Sequence, residues 1–189
     1  MSSGLRRLRL IAILCVRIEL RAKKPDLPSS SRSCRTVVRG GERSEASGIS
    51  SMPTTLISPG TDSAEIMELI VSHLYRLGHR KIAFLNGSKN SLITEQRMEG
   101  FYNSMNKRKL TVDDGLAIYA YFVARVAEDH IDSFLNKGAT AIICGNDVIA
   151  SGVYTELMGR GLSVPGDISV VGIDDIPLAS LLSPPLTTV

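Results

Sequence analysis

Three polar stations in this 189-residue chain carry the residue types that hold a polyhydroxylated ligand. Asn146-Asp147 follows an apolar run at 140–144, and Asp174-Asp175 follows another at 168–171. Arg97 stands one turn into a helix expected after the run 81–85. A guanidinium offers five donors, a carboxylate only accepts, and an amide does both. Each hydroxyl of a sugar-like ligand can donate to one such group and accept from another, and contacts to the charged members are the strong ones. Each residue also has an ordinary structural reading. Asp147 suits a helix N-cap better than a ligand contact. Asn146 suits a turn, Asp175 suits capping or solvating its loop, and Arg97 suits a solvated helix face.

Other chemistries lack their residues. His73 sits on an apolar helix face, as a packed histidine does, and His79 and His130 are isolated. No His, Cys or carboxylate set has metal-ligand spacing. There is no nucleophile elbow, no phosphate loop and no dinucleotide fingerprint. Cys15, Cys34 and Cys144 are far apart and form no CxxC pair, which points away from a disulfide framework or a zinc site. Cys144 lies in an apolar run and reads as a small buried hydrophobe. No enzyme activity, cofactor or metal is expected.

The elements that position these stations are legible from periodicity. Ile66, Leu69, Ile70, His73, Leu74 and Leu77 trace one face of a helix over 63–77, with Asp62 or Ser63 as its cap and Gly78 as its stop. Residues 81–85 read as a buried strand. A helix from Thr94 presents Met98, Phe101, Tyr102 and Met105 to the core. A strand over 116–122 follows, then a helix over 124–136 with Val126, Ala127, Ile131, Phe134 and Leu135 inward. The strand 140–144 leads to a helix capped by Asp147 and running to Arg160, with Val148, Val153, Tyr154, Leu157 and Met158 inward. The strand 168–171, a short helix at 177–182 and a strand beginning at Leu186 complete the order. Regular alternation of helix and strand means crossover connections and a parallel sheet. All three polar stations then reach the C-terminal edge of that sheet, where open α/β sheets bind ligands.

Charge divides the chain in two. Residues 1–50 hold eleven Lys/Arg against four Asp/Glu, a net of +7, whereas residues 51–189 hold eleven against fifteen, a net of −4. The basic part has no periodic apolar face and reads as a disordered tail over 1–60. The structured unit is expected over 61–189, and the 43% apolar content suffices for its core. Arg6, Arg7 and Arg9 before the apolar run 10–16 resemble the start of a secretory signal. That run is at the lower limit of length, and Arg17, Glu19 and Arg21 follow it without a cleavage site. Nothing approaches the ~20 apolar residues of a membrane span. A cytoplasmic protein is the expectation, with no membrane partner.

Four stretches carry a resemblance to a known family. They are HLYRLGHRKIAFL from His73, RMEGF from Arg97, NDVIASG from Asn146, and VPGDISVVGIDDIPLASLLSPPLTTV from Val164. In this order and spacing they resemble the C-terminal part of the effector-sensing domain of LacI/GalR-type transcription regulators, over about two-thirds of the chain. The resemblance implies an α/β fold, specifically a parallel-sheet, three-layer subdomain of the type I periplasmic-binding-protein-like architecture. It implies a small-molecule effector, a sugar or similar polar metabolite, contacted by Arg97, Asn146 and Asp174, with Phe122 the candidate to pack on a sugar ring, an ordinary core residue being the alternative. It also implies a homodimer whose effector shifts the subdomains and repositions helix-turn-helix heads on operator DNA. Residues 1–60 show no helix-turn-helix, and the stop at Val189 falls where a relative crosses to its other subdomain. The expectation is therefore the effector-sensing portion of a regulator, most simply a repressor, in truncated or mis-started form. A periplasmic sugar-binding protein of an ABC transporter shares the fold and is the alternative.

Overall fold

Strand residues buried on both sides decide the layering. The computed structural model describes residues 63–189, so the expected tail 1–60, Asp62, Cys15 and Cys34 lie outside the described residues. Helix α1 (Ser63–Arg76) leads to β1 (Ile82–Asn86), α2 (Leu92–Lys107), β2 (Ala117–Tyr119) and α3 (Val126–Asn136). Then come β3 (Ala141–Cys144), α4 (Asp147–Gly159), β4 (Ser169–Val171) and α5 (Pro177–Leu181). The strands form one parallel sheet in the order β2-β1-β3-β4.

β1, β3 and β4 are buried at every position, and successive side chains pass to opposite faces. Ala83, Leu85, Ile142, Cys144 and Val170 join the core under α3, α4 and α5. Ile82, Phe84, Ala141, Ile143 and Val171 join the core under α1 and α2. The result is a three-layer α/β unit, as the alternation predicts. Gly78, with φ of 97°, ends α1 in the left-handed region that favours glycine.

Several expectations shift once packing is seen. α1 lies along α2 as well as on the sheet, so its fully buried residues are Met67, Ile70, Val71 and Leu74. Leu69, Leu77 and His73 are only half-buried, and His73 is not a core histidine. Burial, aided by Arg76, still pulls its imidazole pKa down. On α2, Tyr102 turns outward to solvent. On α3, Leu135 is partly buried, against a fully buried Phe134. On α4, Ile149 and Ala150 replace Val148 and Met158 in the core, and Met158 is 65% exposed. β2 covers only residues 117–119 of the expected 116–122, because the chain bends away after Tyr119. The strand expected from Leu186 is a single parallel bridge, Val171 to Thr187, on the outer side of β4.

Candidate functional site

Strand order locates the crevice. The connection from β1 runs outward to β2, and the next returns over β1 to β3. The loops after β1 and β3 therefore diverge, and a doubly wound sheet opens its ligand crevice at that switch point. The loop after β1 is held rigid by Asn86, which is fully buried. Its Nδ2 donates to the Thr94 carbonyl at 2.7 Å, and its Oδ1 accepts from the Gly87 amide at 2.8 Å. Thr94 Oγ1 bonds back to the Ser88 and Ser91 carbonyls, which fixes the first turn of α2 and with it Arg97.

Arg97 spans the crevice. Its Nη1 donates to the Gly145 carbonyl at 2.6 Å, and its Nη2 lies 3.8 Å from Asp174 Oδ1. The side chain is 11% exposed, and Nε is buried without a partner among the described residues. A buried guanidinium donor without an acceptor is costly and unusual. Burial lowers the pKa of Arg97, and Asp174 opposes that shift. Asp174, whose side chain is 47% exposed, has its carboxyl pushed up by burial and pulled back by Arg97. The 3.8 Å separation is beyond a hydrogen bond, so each partner keeps capacity for a third group.

Asn146 and Asp147 divide their work differently from the expectation. The N-cap of α4 is Asn146, whose Oδ1 accepts from the Ile149 amide at 2.8 Å. Asp147 is the first helical residue and caps nothing. Its carboxylate is fully buried and accepts from Thr188 Oγ1 at 2.6 Å and from the Ile176 amide at 2.9 Å. Asn146 is suited to the cap because its extended backbone aims the side chain at N3, whereas residue 147 already has helical geometry. The cap uses only the amide oxygen of Asn146, which leaves its NH2 donors at the sheet edge.

An aromatic wall closes the β2 side. The Phe122 ring packs flat over Gly87 and occupies the space a side chain there would need. Gly87 in turn abuts Gly145 so closely that a side chain at 145 would press on the Asn86–Gly87 backbone. Phe122, Gly87, Gly145, Arg97 and Asp174 thus form a continuous series across the edge. Phe122 is 38% exposed and Tyr121 is 70% exposed. Burial and the nearby Glu95 and Tyr102 raise the Tyr119 phenol.

The edge brings together Arg97 and Asp174 directly, and Asn146 beside Arg97's acceptor Gly145. Phe122 joins through Gly87. Sequence reasoning did not find the supporting residues Asn86, Thr94 and Thr188. An Asn closing an apolar strand was a signal for the first, but Thr188 acts across 41 residues and gave none. Among the described residues no three His, Cys, Asp or Glu side chains gather as a metal set.

Comparison with known proteins addresses this architecture. The family model for a periplasmic binding protein-like domain matches residues 71–189. The HTH-type transcriptional repressor PurR of Vibrio atlanticus (strain LGP32) is 38% identical over 124 residues, 64% of this chain and 37% of that protein. The ribose operon repressor of Haemophilus influenzae is 33% identical over 123 residues, again 64% of this chain and 37% of the relative. A solved sugar-binding transcriptional regulator of the LacI family from Escherichia coli, complexed with phosphate, superposes with a TM-score of 0.63 at 29% identity. That superposition covers 67% of this chain and 46% of the other. The chain thus spans less than half the length of these relatives. From the family model, the repressors and the shared fold together, the chain belongs to the periplasmic binding protein-like family, in its LacI-type transcription-regulator branch.

Proposed function

We propose that residues 61–189 are the effector-sensing part of a sugar-responsive LacI/GalR-type transcription regulator, acting as a repressor. The observation that carries this reading is Arg97: a buried guanidinium whose Nε has no partner among the described residues, placed at the topological switch point beside a half-exposed Asp174. A polyol hydroxyl at the gap between Arg97 Nη2 and Asp174 accepts a hydrogen bond from the guanidinium and donates one to the carboxylate. In this reading Arg97, Asn146 and Asp174 bind the effector's hydroxyls, and Phe122 packs on its apolar ring face. The regulator reading is favoured over a transporter's sugar-binding protein because the two relatives described above are named as repressors.

The described residues hold a single sheet and hence one wall of a cleft. Consecutive helices among them are always separated by a strand, so they contain no helix-turn-helix. Operator DNA is therefore engaged, in this reading, outside residues 63–189. An effector favours one arrangement of a dimeric regulator only if it binds the two arrangements unequally. Isothermal titration of the chain with a panel of aldoses, D-ribose included, tests the site. The expected result is weak binding, on the order of millimolar for a half-enclosed ligand, abolished by Arg97→Met and Asp174→Asn. Binding that survives both substitutions, or no heat from any sugar at tenfold higher concentration, overturns the reading.

A further inference from the structure

We infer that Asp147 is a positioning residue that holds the Asp174 loop and the segment 187–189 as one unit, so that a displacement of Asp174 is carried to that segment. Hydrogen bonds from two separate segments meet at this side chain. Asp147 Oδ2 accepts from the Ile176 amide at 2.9 Å, and Oδ1 accepts from Thr188 Oγ1 at 2.6 Å. Its own amide donates to the Ile173 carbonyl at 3.0 Å. The loop and the segment are also stitched directly. The Gly172 amide donates to Thr187 at 2.9 Å, the Asp174 amide donates to Val189 at 2.8 Å, and the Asp175 amide reaches Thr188 Oγ1 at 3.3 Å. Residue 172 is glycine where Asp147 Oδ1 and Leu186 leave no room for a side chain.

Backbone conformation gives an independent sign that the loop is held from outside. Asp174 has φ of 108° and Asp175 has φ of 47°, both in the region that disfavours residues with a side chain. Such conformations persist only where surrounding contacts over-determine them. The contacts that hold this loop include those to Asp147 and to residues 187–189, beside the ion pair of Asp174 with Arg97. A carboxylate accepting two hydrogen bonds from segments 29 and 41 residues distant is a crosslink between them. Asp147 is fully buried, so no ligand reaches its carboxylate in this arrangement. The link matters for signalling only if Asp174 contacts an effector, and to that extent it rests on the function proposed above.

Amide hydrogen exchange by NMR on the full chain tests the inference without any ligand. Thr188→Val keeps the shape and removes the hydroxyl, and Thr188→Ser restores the hydroxyl. Asp147→Ala removes the crosslink entirely. The expected result is at least ~10-fold faster exchange at Gly172, Asp174 and Ile176 in Asp147→Ala and Thr188→Val, with Phe84 and Ile142 unchanged and Thr188→Ser like wild type. An equal acceleration at Phe84 and Ile142 would mean a merely structural role and overturns the proposal. So does wild-type exchange at Asp174 and Ile176 in Thr188→Val. Should Asp147→Ala not fold, the valine and serine pair decides alone. Failure of every sugar to bind wild type bears on the effector reading and leaves this measurement standing.

Discussion

The Phe122 ring lies where a side chain on Gly87 would otherwise be, so the aromatic wall and the loop after β1 are shaped by each other. Gly87→Ala must displace the ring or the loop. We expect a loss of about 1–3 kcal/mol in urea unfolding, the usual cost of overpacking. Phe122→Ala should cut that cost, with a coupling of about 0.5–3 kcal/mol in the double-mutant cycle. Additive effects would place the ring elsewhere.

Arg97 is expected to be worth little to folding and much to binding. Its single short bond to Gly145 is set against burial of a guanidinium whose Nε has no acceptor. Arg97→Met should therefore change unfolding stability by no more than about 1 kcal/mol while removing sugar binding. Urea titrations beside calorimetry on the same preparation check both halves. A loss of several kcal/mol would make Arg97 a structural residue.

Acid should weaken the α1–α2 contact through Glu68. Arg108, assisted by Ser104 and Lys107, draws the Glu68 carboxyl down from 4.5 to about 2 against the opposing effect of burial. A depressed folded-state value contributes stability above the unfolded pKa and loses it as pH falls through the folded one. The window is therefore about pH 5 down to pH 2. Solvent screens a side chain that is 38% exposed, so the effect is a fraction of the full linkage. Glu68→Gln should flatten the fall of stability across this window in urea titrations read at stepped pH. Parallel curves for the two proteins would remove the pair from the account.

Cys144 should be inert in the native state. It is fully buried, and burial with Asp147 nearby pushes its thiol pKa far up. In a Cys15→Ser/Cys34→Ser background, a thiol-specific chromogenic reagent should leave it unmodified until urea unfolds the chain. Rapid labelling in native buffer would mean that β3 is accessible.

Much of this was readable in advance, for reasons that differ by element. Residues 82–85 of β1 and all of β3 are short apolar runs, and burial on both faces is the only use for them. α1 was evident as a helix, but its buried sector depends on α2, which periodicity does not know. β2 was drawn too long because Ala120–Tyr121–Phe122 has strand-like composition, while its path is set by Phe122 seating on Gly87. The polar stations were found because they follow strands. Asn146 takes the cap expected of Asp147, because a local capping rule cannot see Thr188, whose hydroxyl gives Asp147 a non-local use.

The strand order has a consequence for how the unit is made. Among the described strands β1 is synthesised first, β2 joins one side of it, β3 the other, β4 lies outside β3, and Thr187 pairs outside β4. Each later strand among the described residues thus meets a neighbour already emerged from the ribosome, and none of them has to insert between two that are paired. Domains form largely in the order of synthesis, and exposed strand edges are where incomplete chains aggregate. This sheet can grow outward during translation with one waiting edge on each side, and the ties of residues 187–189 close over the loop that carries Asp174.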